Sequence, residues 1–465
     1  MEFALGVYLS RLRRGYTYEE LACRWDITFQ TASNYCKIIR NSLIDEANKA
    51  LDFNVIRTEL LNHRTEVSKL LHSSTGDHVI LIFDGTYIFV EKSGNFSFQR
   101  ATFSGHKHQN LIKPMLAVCP DGFIAAVWGG YPGSINDASI MSEILQKNIW
   151  TNLQVGDVFI VDRGFRDSIA DINAKGFVGK MPAFLNTPSS AFTTEQANKS
   201  RCITKIRYIV EVVNGRLKEW FSYFDKTIEN TALPYLFIDF KIACFLHNIV
   251  FKPIQSSSID IEIANRMILF ANRKNNLSQL VKHLNLNAKM VVFEQLELSD
   301  LTFPELTMHD LCLYTCGSYQ IKMAASYYQD HVIKNGDFEF QVAKENLKPN
   351  YSKYNIKIKT RNSILIKARI RSRFSNATKY FVFVLIDKTK NNIDGIIGHT
   401  CSCKVGKRVV GCCSHVATII WFFGYARHQQ KIPMPANYLD NYFSEALHNN
   451  ELIDQEIESG EEDEG

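Results

Sequence analysis

The run Val79-Ile-Leu-Ile-Phe-Asp84-Gly-Thr-Tyr-Ile-Phe-Val90 is apolar and β-branched, with one carboxylate set inside it. That composition predicts a strand. A carboxylate within such a strand is costly unless it is paired or holds a metal. Working outward, residues 111–119 (LIKPMLAVC) and 123–129 (FIAAVWG) read as two further strands joined by a Pro120-Asp121-Gly122 turn. A helix is expected from Ser134, where Ser134-Ile-Asn-Asp137 has the form of a capping box. Asp137 is therefore read first as structural, with metal contact as the alternative. A second apolar strand, Asp157-Val-Phe-Ile-Val-Asp162, also ends on an acid. Residues 203–220 then carry helical spacing, with Ile206, Ile209, Val210, Val213 and Leu217 on one face and Glu211 amid them.

Three carboxylates from two strand ends and one helix form the ligand set that two-metal phosphoryl transfer requires. Hard Mg²⁺ or Mn²⁺ takes oxygen ligands, and two such ions stabilise the attacking and leaving oxygens of an in-line displacement. Each acid has a structural alternative. Asp84 can be a strand-end turn residue, Asp162 the cap of the next helix, and Glu211 an ion-pair partner of Lys205, Arg207 or Lys218.

The 465 residues, 46% hydrophobic and 22% charged, fit a multidomain globular chain rather than a disordered or fibrous one. No uncharged apolar stretch reaches the ~20 residues of a membrane span, since 234–251 is broken by Asp239 and Lys241. The first residues do not have the form of a secretory signal. The last fifteen residues carry eight acids and no base, leaving 53 basic against 40 acidic residues, or +13, over residues 1–450. Such a body suits a polyanionic partner.

Near the N-terminus, Thr17-Tyr-Glu-Glu20 has the form of a capping box. Thr28 can cap a second helix after a short turn, running to about Leu43. This is a helix-turn-helix pattern. It would present Phe29, Gln30, Ser33, Asn34 and Lys37, with Arg13, Arg14 and Arg40 near phosphates. Further candidate DNA contacts are Lys107, whose alternative is a solvated loop, and Arg201 and Arg207, whose alternative is an ordinary charged helix face. A bundle without DNA contact is the alternative.

Cys401-Ser-Cys403 and Cys413-Ser-His415 make a C-x-C-x₉-C-x-H set, able to close a tetrahedral Zn²⁺ site. Cys413, not its neighbour Cys412, keeps the C-x-H spacing. Upstream, residues 353–373 hold eight bases and no acid. Ile356-Lys-Ile-Lys359 alternates with strand period, so a basic sheet face able to track a phosphate backbone is expected, with a merely solvated strand face as the alternative.

In order, FDGTYIFV, FSGHKHQNLIKPMLAV, PGSINDASI, FIVDRGF and IVEVVNGRLK resemble the DDE nuclease domain of Harbinger/PIF-type transposases over about residues 78–250. The cysteine pattern resembles the SWIM-type zinc finger. The resemblance implies a ribonuclease H-like, mixed-sheet nuclease within a multidomain α/β (α+β) chain. It maps the catalytic acids to Asp84, Asp162 and Glu211, with Asp84 shared by two Mg²⁺ or Mn²⁺ ions. Where the family commonly has Asp-Ser-Gly-Tyr, this chain has Asp162-Arg163-Gly-Phe.

The expected organisation is a helix-turn-helix at 1–45, a helical linker at 46–76 and the nuclease at 77–250. A helical connector at 251–300 follows, then an α+β region at 301–440 with the zinc finger at about 395–425, and an acidic disordered tail at 441–465. The implied function is metal-dependent cutting of DNA at transposon ends, with joining to target DNA in the same site. A nucleus location and a homodimer go with it, and the zinc finger takes DNA or a protein partner. The competing reading is a domesticated transposase with idle carboxylates that binds DNA or recruits partners.

Overall fold

The run around Asp84 becomes strand β1 (Ile80–Gly85), followed by the short β2 (Ile88–Phe89) and β3 (Phe103–Ser104). β4 (Gln109–Val118) and β5 (Ile124–Pro132) form the hairpin across the Pro-Asp-Gly turn, where Gly122 sits at φ +93°. β6 (Val158–Ile160) and β7 (Val178–Lys180) complete a seven-stranded sheet. β1 is antiparallel to β4, and β4 to β5, whereas β1, β6 and β7 run parallel.

This computed structural model divides the chain into two compact units, Met1–Pro188 with Gln196–Asn272 and Ser189–Glu195 with Arg273–Gly465. It describes residues 2–430 and 432, except 54, 74–75, 186–190, 289–291, 296–300, 330–338, 345–346, 348 and 373–374. The acidic tail expected at 441–465 lies outside the described residues.

In the first unit the period-2 alternation of β1 divides its side chains between two cores. Ile80 and Ile82 pack with Val158, Ile160 and the apolar face Ile206, Val210 and Val213; Leu81 and Phe83 pack with Phe159, Val161, Trp128 and Trp150 on the other face. Helices α1 (Glu2–Arg14), α2 (Tyr18–Trp25) and α3 (Phe29–Ala50) open the unit. α4 (Arg57–Asn62), α5 (Glu66–His72) and α6 (Phe96–Thr102) are short. α7 (Asp137–Gln146) follows β5, α8 (Ile169–Ala174) precedes β7, and α9 (Thr194–Trp220), α10 (Leu233–Val250) and α11 (Ser258–Ala271) follow it.

The Thr17 capping box forms as expected, with the Thr17 amide 2.8 Å from Glu20 Oε2 and the Glu20 amide 3.2 Å from Thr17 Oγ1. Thr28 caps α3, which runs to Ala50 rather than to Leu43. Arg40 is a correction. It is buried and bidentate on Asp239 of α10 at 2.7 and 2.9 Å, with Tyr8 Oη donating to the same carboxylate at 2.7 Å. A buried carboxylate demands a charged partner, so Arg40 serves the core and not a phosphate. α10 is long and apolar enough to cross a membrane by length and composition, yet its Asp239 is fully buried in this pairing.

In the second unit, α12 (Asn276–His283), α13 (Met308–Thr315), α14 (Tyr319–Tyr327) and α15 (Ser414–Gly424) accompany a five-stranded antiparallel sheet. Its strands are β8 (Phe293–Gln295), β9 (Glu339–Ala343), β10 (Ser363–Ser372), β11 (Ser375–Asp387) and β12 (Ile396–Cys401). The basic sheet face is corrected in two places. Residues 356–359 alternate apolar-in and basic-out but form no strand. Lys367 of β10 is buried, its Nζ donating to the Leu286 carbonyl at 3.2 Å and lying over the Phe293 ring.

Candidate active site and metal centre

Asp84 and Asp162 share a side of the sheet because each continues the parity of residues facing α9. The parallel register pairs Ile82 with Ile160, and continued two residues past that last pair it leads from Asp84 to Asp162, the acid whose charge acts most on Asp84. Adjacent strands lie ~4.8 Å apart, so the two acids lie near each other at the C-terminal ends of neighbouring parallel strands. Asp162 also performs its alternative role: its Oδ1 accepts the Gly164 amide at 2.7 Å and caps the 3₁₀ turn at Arg163–Ser168.

Asp137 joins them. The expected Ser134 capping box does not form, because Asn136 is the N-cap, its side chain accepting the Ser139 amide at 2.7 Å. Asp137 is thereby turned inward at the first helical position. Its oxygens lie 3.4 Å and 3.5 Å from where a Cβ on Gly85 or Gly164 would stand, and Asp162 Oδ1 lies 3.0 Å from the latter. Glycine at both places leaves room for three carboxylates. Lys113 Nζ holds Asp137 at 3.3 Å and donates to the Ile135 carbonyl at 2.7 Å. It is aimed there by a bulge at Pro114, opposite Gly129 at φ +133°. Tyr87, whose ring lies 5.7 Å from Lys113 Nζ and 5.2 Å from Lys107 Nζ, brings Lys107 to the same rim.

From α9, Asn214 Nδ2 donates to Asp84 Oδ2 at 3.3 Å, while its buried Oδ1 has no partner. Glu211, one turn earlier, is half-exposed and paired with Arg207 at 2.6 Å. Arg207 is thus occupied within the chain rather than held out toward a phosphate. Arg201 is half-buried on the same helix. The four acids are nonetheless electrostatically joined. Burial, then Asp162 and Asp137, push the Asp84 carboxyl up to about 7, with Arg207 opposing and Glu211 adding to the rise. Burial likewise raises Asp137 against the pull of Lys113. A carboxylate cluster held this unfavourably, beside an orphaned amide oxygen, fits divalent cations. Lys113, Tyr87 and Asn214 stand beside these acids without having been singled out in the sequence, whereas Asp137 is read there first as structural, with metal contact as the alternative. Only the Gly-flanked acids and the E-x-x-N spacing on α9 hinted at them.

In the second unit, Cys401, Cys403, Cys413 and His415 are all buried, and their ligand atoms lie within 4.8 Å of one another. Cys401 Sγ is 3.8 Å from His415 Nδ1, near the edge length of a tetrahedron with Zn–S of about 2.3 Å. Cys412, although buried, is outside the set. Gly406 is required, since a Cβ there would meet the Cys401 carbonyl at 2.2 Å. Gly411 adopts φ +66°, a conformation that glycine takes without strain. The Cys₃His cluster is compatible with Zn²⁺, and no second such group occurs among the described residues. The acids around Asp84 converge without closing to that degree. At the N-terminus, Gln30, Asn34 and Lys37 are exposed along α3 and Ser33 is half-buried.

Residues 83–248 match the family model described as DDE superfamily endonuclease. The match spans β1 through α10 and contains all four acids. It supports a DDE transposase-like nuclease domain, a class that works with divalent metals on DNA. No curated protein and no solved structure matches the chain.

Proposed function

We propose that the protein is a metal-dependent DNA endonuclease of the transposase type, cutting phosphodiesters at transposon ends and joining them to target DNA. What supports this reading is the succession of Asp84 and Asp162 at the ends of adjacent parallel strands, with Asn214 of α9 donating to Asp84 at 3.3 Å and Glu211, one turn earlier, acting on it through space. The strand order β5-β4-β1-β6-β7, antiparallel then parallel, supports a ribonuclease H-like core. Asp84, Asp162 and Glu211 would hold two Mg²⁺ or Mn²⁺ ions, which supply Lewis acidity and an activated water when bound. The chain itself supplies the placement. Asn214 orients Asp84, Lys113 holds Asp137 beside it, and Lys107 stands at the rim where a phosphate would approach.

α2 and α3, joined by Asp26 at φ 50°, Ile27 and Thr28, are proposed as the helix-turn-helix, reading DNA through Gln30, Ser33, Asn34 and Lys37. The Cys₃His cluster is proposed as a SWIM-type structural zinc finger, and the protein as nuclear and dimeric on its DNA. Strand cleavage of a labelled duplex in Mn²⁺ tests the central claim. Asp84→Asn should abolish nicking while gel-shift affinity for the duplex persists. Nicking at the wild-type rate would overturn the assignment.

A further inference from the structure

Beside the zinc cluster, the second unit contains a cavity of about 540 Å³ between α12, β11, β12 and the segment 191–194. Its lining holds Lys274, Lys282 and Lys407 and no acid. None of the three lysines has an ion-pair partner among the described residues, and Lys274 and Lys282 are exposed. Besides Cys401 of the Cys₃His cluster, the remaining polar lining is neutral amide and hydroxyl, with Asn275, Ser278, Gln279 and Ser402 among it, and half-buried Phe381 forms part of the wall. Three uncompensated ammonium groups around one concavity call for an anion.

The cavity is built rather than incidental. Asn275 Nδ2 donates to the carbonyls of His399 and Lys407 at 2.8 and 3.0 Å, pinning the start of α12 to β12 and to the zinc loop. The same side chain caps α12 through the Ser278 amide at 2.8 Å. Thr400 and Ser402 flank the zinc-cluster residue Cys401 in the wall, and Ser402 Oγ accepts the Phe381 amide at 2.9 Å. The wall therefore has the geometry that the Cys₃His cluster sets.

We infer that this cavity binds single-stranded DNA, its lysines taking phosphates and Phe381 facing a base. The volume lies within the range of roughly 300–1,000 Å³ typical of ligand pockets, which suits a nucleotide or two of a splayed strand rather than the convex face of a duplex. Cations with an aromatic wall are the recurring means of holding single strands. This rests on the nuclease reading above, in which strand cutting exposes single-stranded ends.

The test uses the full chain carrying Asp84→Asn, without added divalent metal, and a fluorescein-labelled oligothymidylate in fluorescence anisotropy. The triple variant Lys274→Gln, Lys282→Gln, Lys407→Gln should weaken binding roughly tenfold or more and flatten the salt slope by about 2, the share of three lysines on a single strand. Gln279→Trp, which fills the cavity without altering charge, should weaken binding and keep the slope. A control with equal charge change, Lys353→Gln, Lys357→Gln, Lys359→Gln, should lose far less. Unchanged affinity in both cavity variants overturns the inference, as does equal loss in the control or loss confined to duplex DNA. Failure of the nuclease reading is separately visible as absence of cleavage by the wild-type chain with this binding intact.

Discussion

At the scale of single residues, the site is governed by what each charge has for a partner. Glu211 is committed to Arg207, so a cation entering the site competes with a guanidinium for that carboxylate. An i,i+4 helix pair of this kind is worth about 0.3–0.5 kcal/mol. Arg207→Gln should therefore lower the half-saturating Mn²⁺ concentration about twofold, measured by calorimetry at pH 8, above the Asp84 value of about 7. Weaker binding would show that Arg207 assembles the site rather than restrains it. The acids themselves were legible because an Asp or Glu inside an apolar run is conspicuous. Their supporting residues were not, since Asn214 and Lys113 look ordinary until folding brings them to Asp84 and Asp137. The cap at Ser134 failed for a local reason: two overlapping cap patterns were available, and Asn136 won. A second charge statement concerns His72, which burial and then Lys180 push down to about 3, with Lys180 Nζ at 3.2 Å from Nδ1. Its folded value lies below the unfolded ~6.5, so the unfolded state binds more protons in between. Stability should fall as pH drops from 6.5 toward 3, by about 2 kcal/mol at pH 5. Urea titrations at pH 7 and pH 5 should show this loss, and His72→Gln should diminish it.

At the scale of elements, α1 and α3 are tied to α10 through one buried carboxylate. Asp239 accepts from Arg40 and Tyr8 at 2.7 to 2.9 Å, and its side chain is 1% exposed. Removing one partner of such a pair leaves an uncompensated buried charge, at a cost of about 3–5 kcal/mol. Asp239→Ala should lower the urea-derived stability of the first unit by that amount. Asp239→Leu combined with Arg40→Met should cost far less, because both charges leave together. An additive loss in the double variant would refute the coupling. Sequence exposed half of this contact, as the acid interrupting the apolar stretch 234–251. The other half lies 199 residues away, and nothing local distinguishes a buried arginine on a helix from one facing a phosphate. The strands were more legible, since their apolar runs and the Pro-Asp-Gly turn are local signals. The basic strand expected around 356–359 failed because apolar-in, basic-out alternation needs only burial of Ile356, not a pairing partner.

At the scale of the whole molecule, the chain has two units with separate cores, and only the second contains the Cys₃His cluster. Here the spacing alone pointed to the four side chains that converge, because x₉ between two closely spaced pairs leaves few ways to meet. Cys401, Cys403 and Cys413 are also part of the second unit's core, packed with Val416, Ile420 and Trp421. Zinc bound at this cluster would contribute folding energy to that unit. Stripping the metal with a strong chelator should therefore lower one thermal transition and spare the other. A loss of ~4 kcal/mol at roughly 2–4 °C per kcal/mol for a unit of this size gives a shift on the order of 10 °C. Calorimetry of the full chain, scanned with and without chelator, should show the second unit's transition moving and the first unit's holding its midpoint. Two substitutions separate the adjacent thiols. Cys413→Ser should reproduce the chelator's shift and abolish one-to-one zinc content by elemental analysis. Cys412→Ser should keep the zinc and cost only the packing of one buried sulfur. If Cys412→Ser empties the site and Cys413→Ser does not, the ligand assignment is wrong at that position, and the cluster must be rebuilt around the other cysteine.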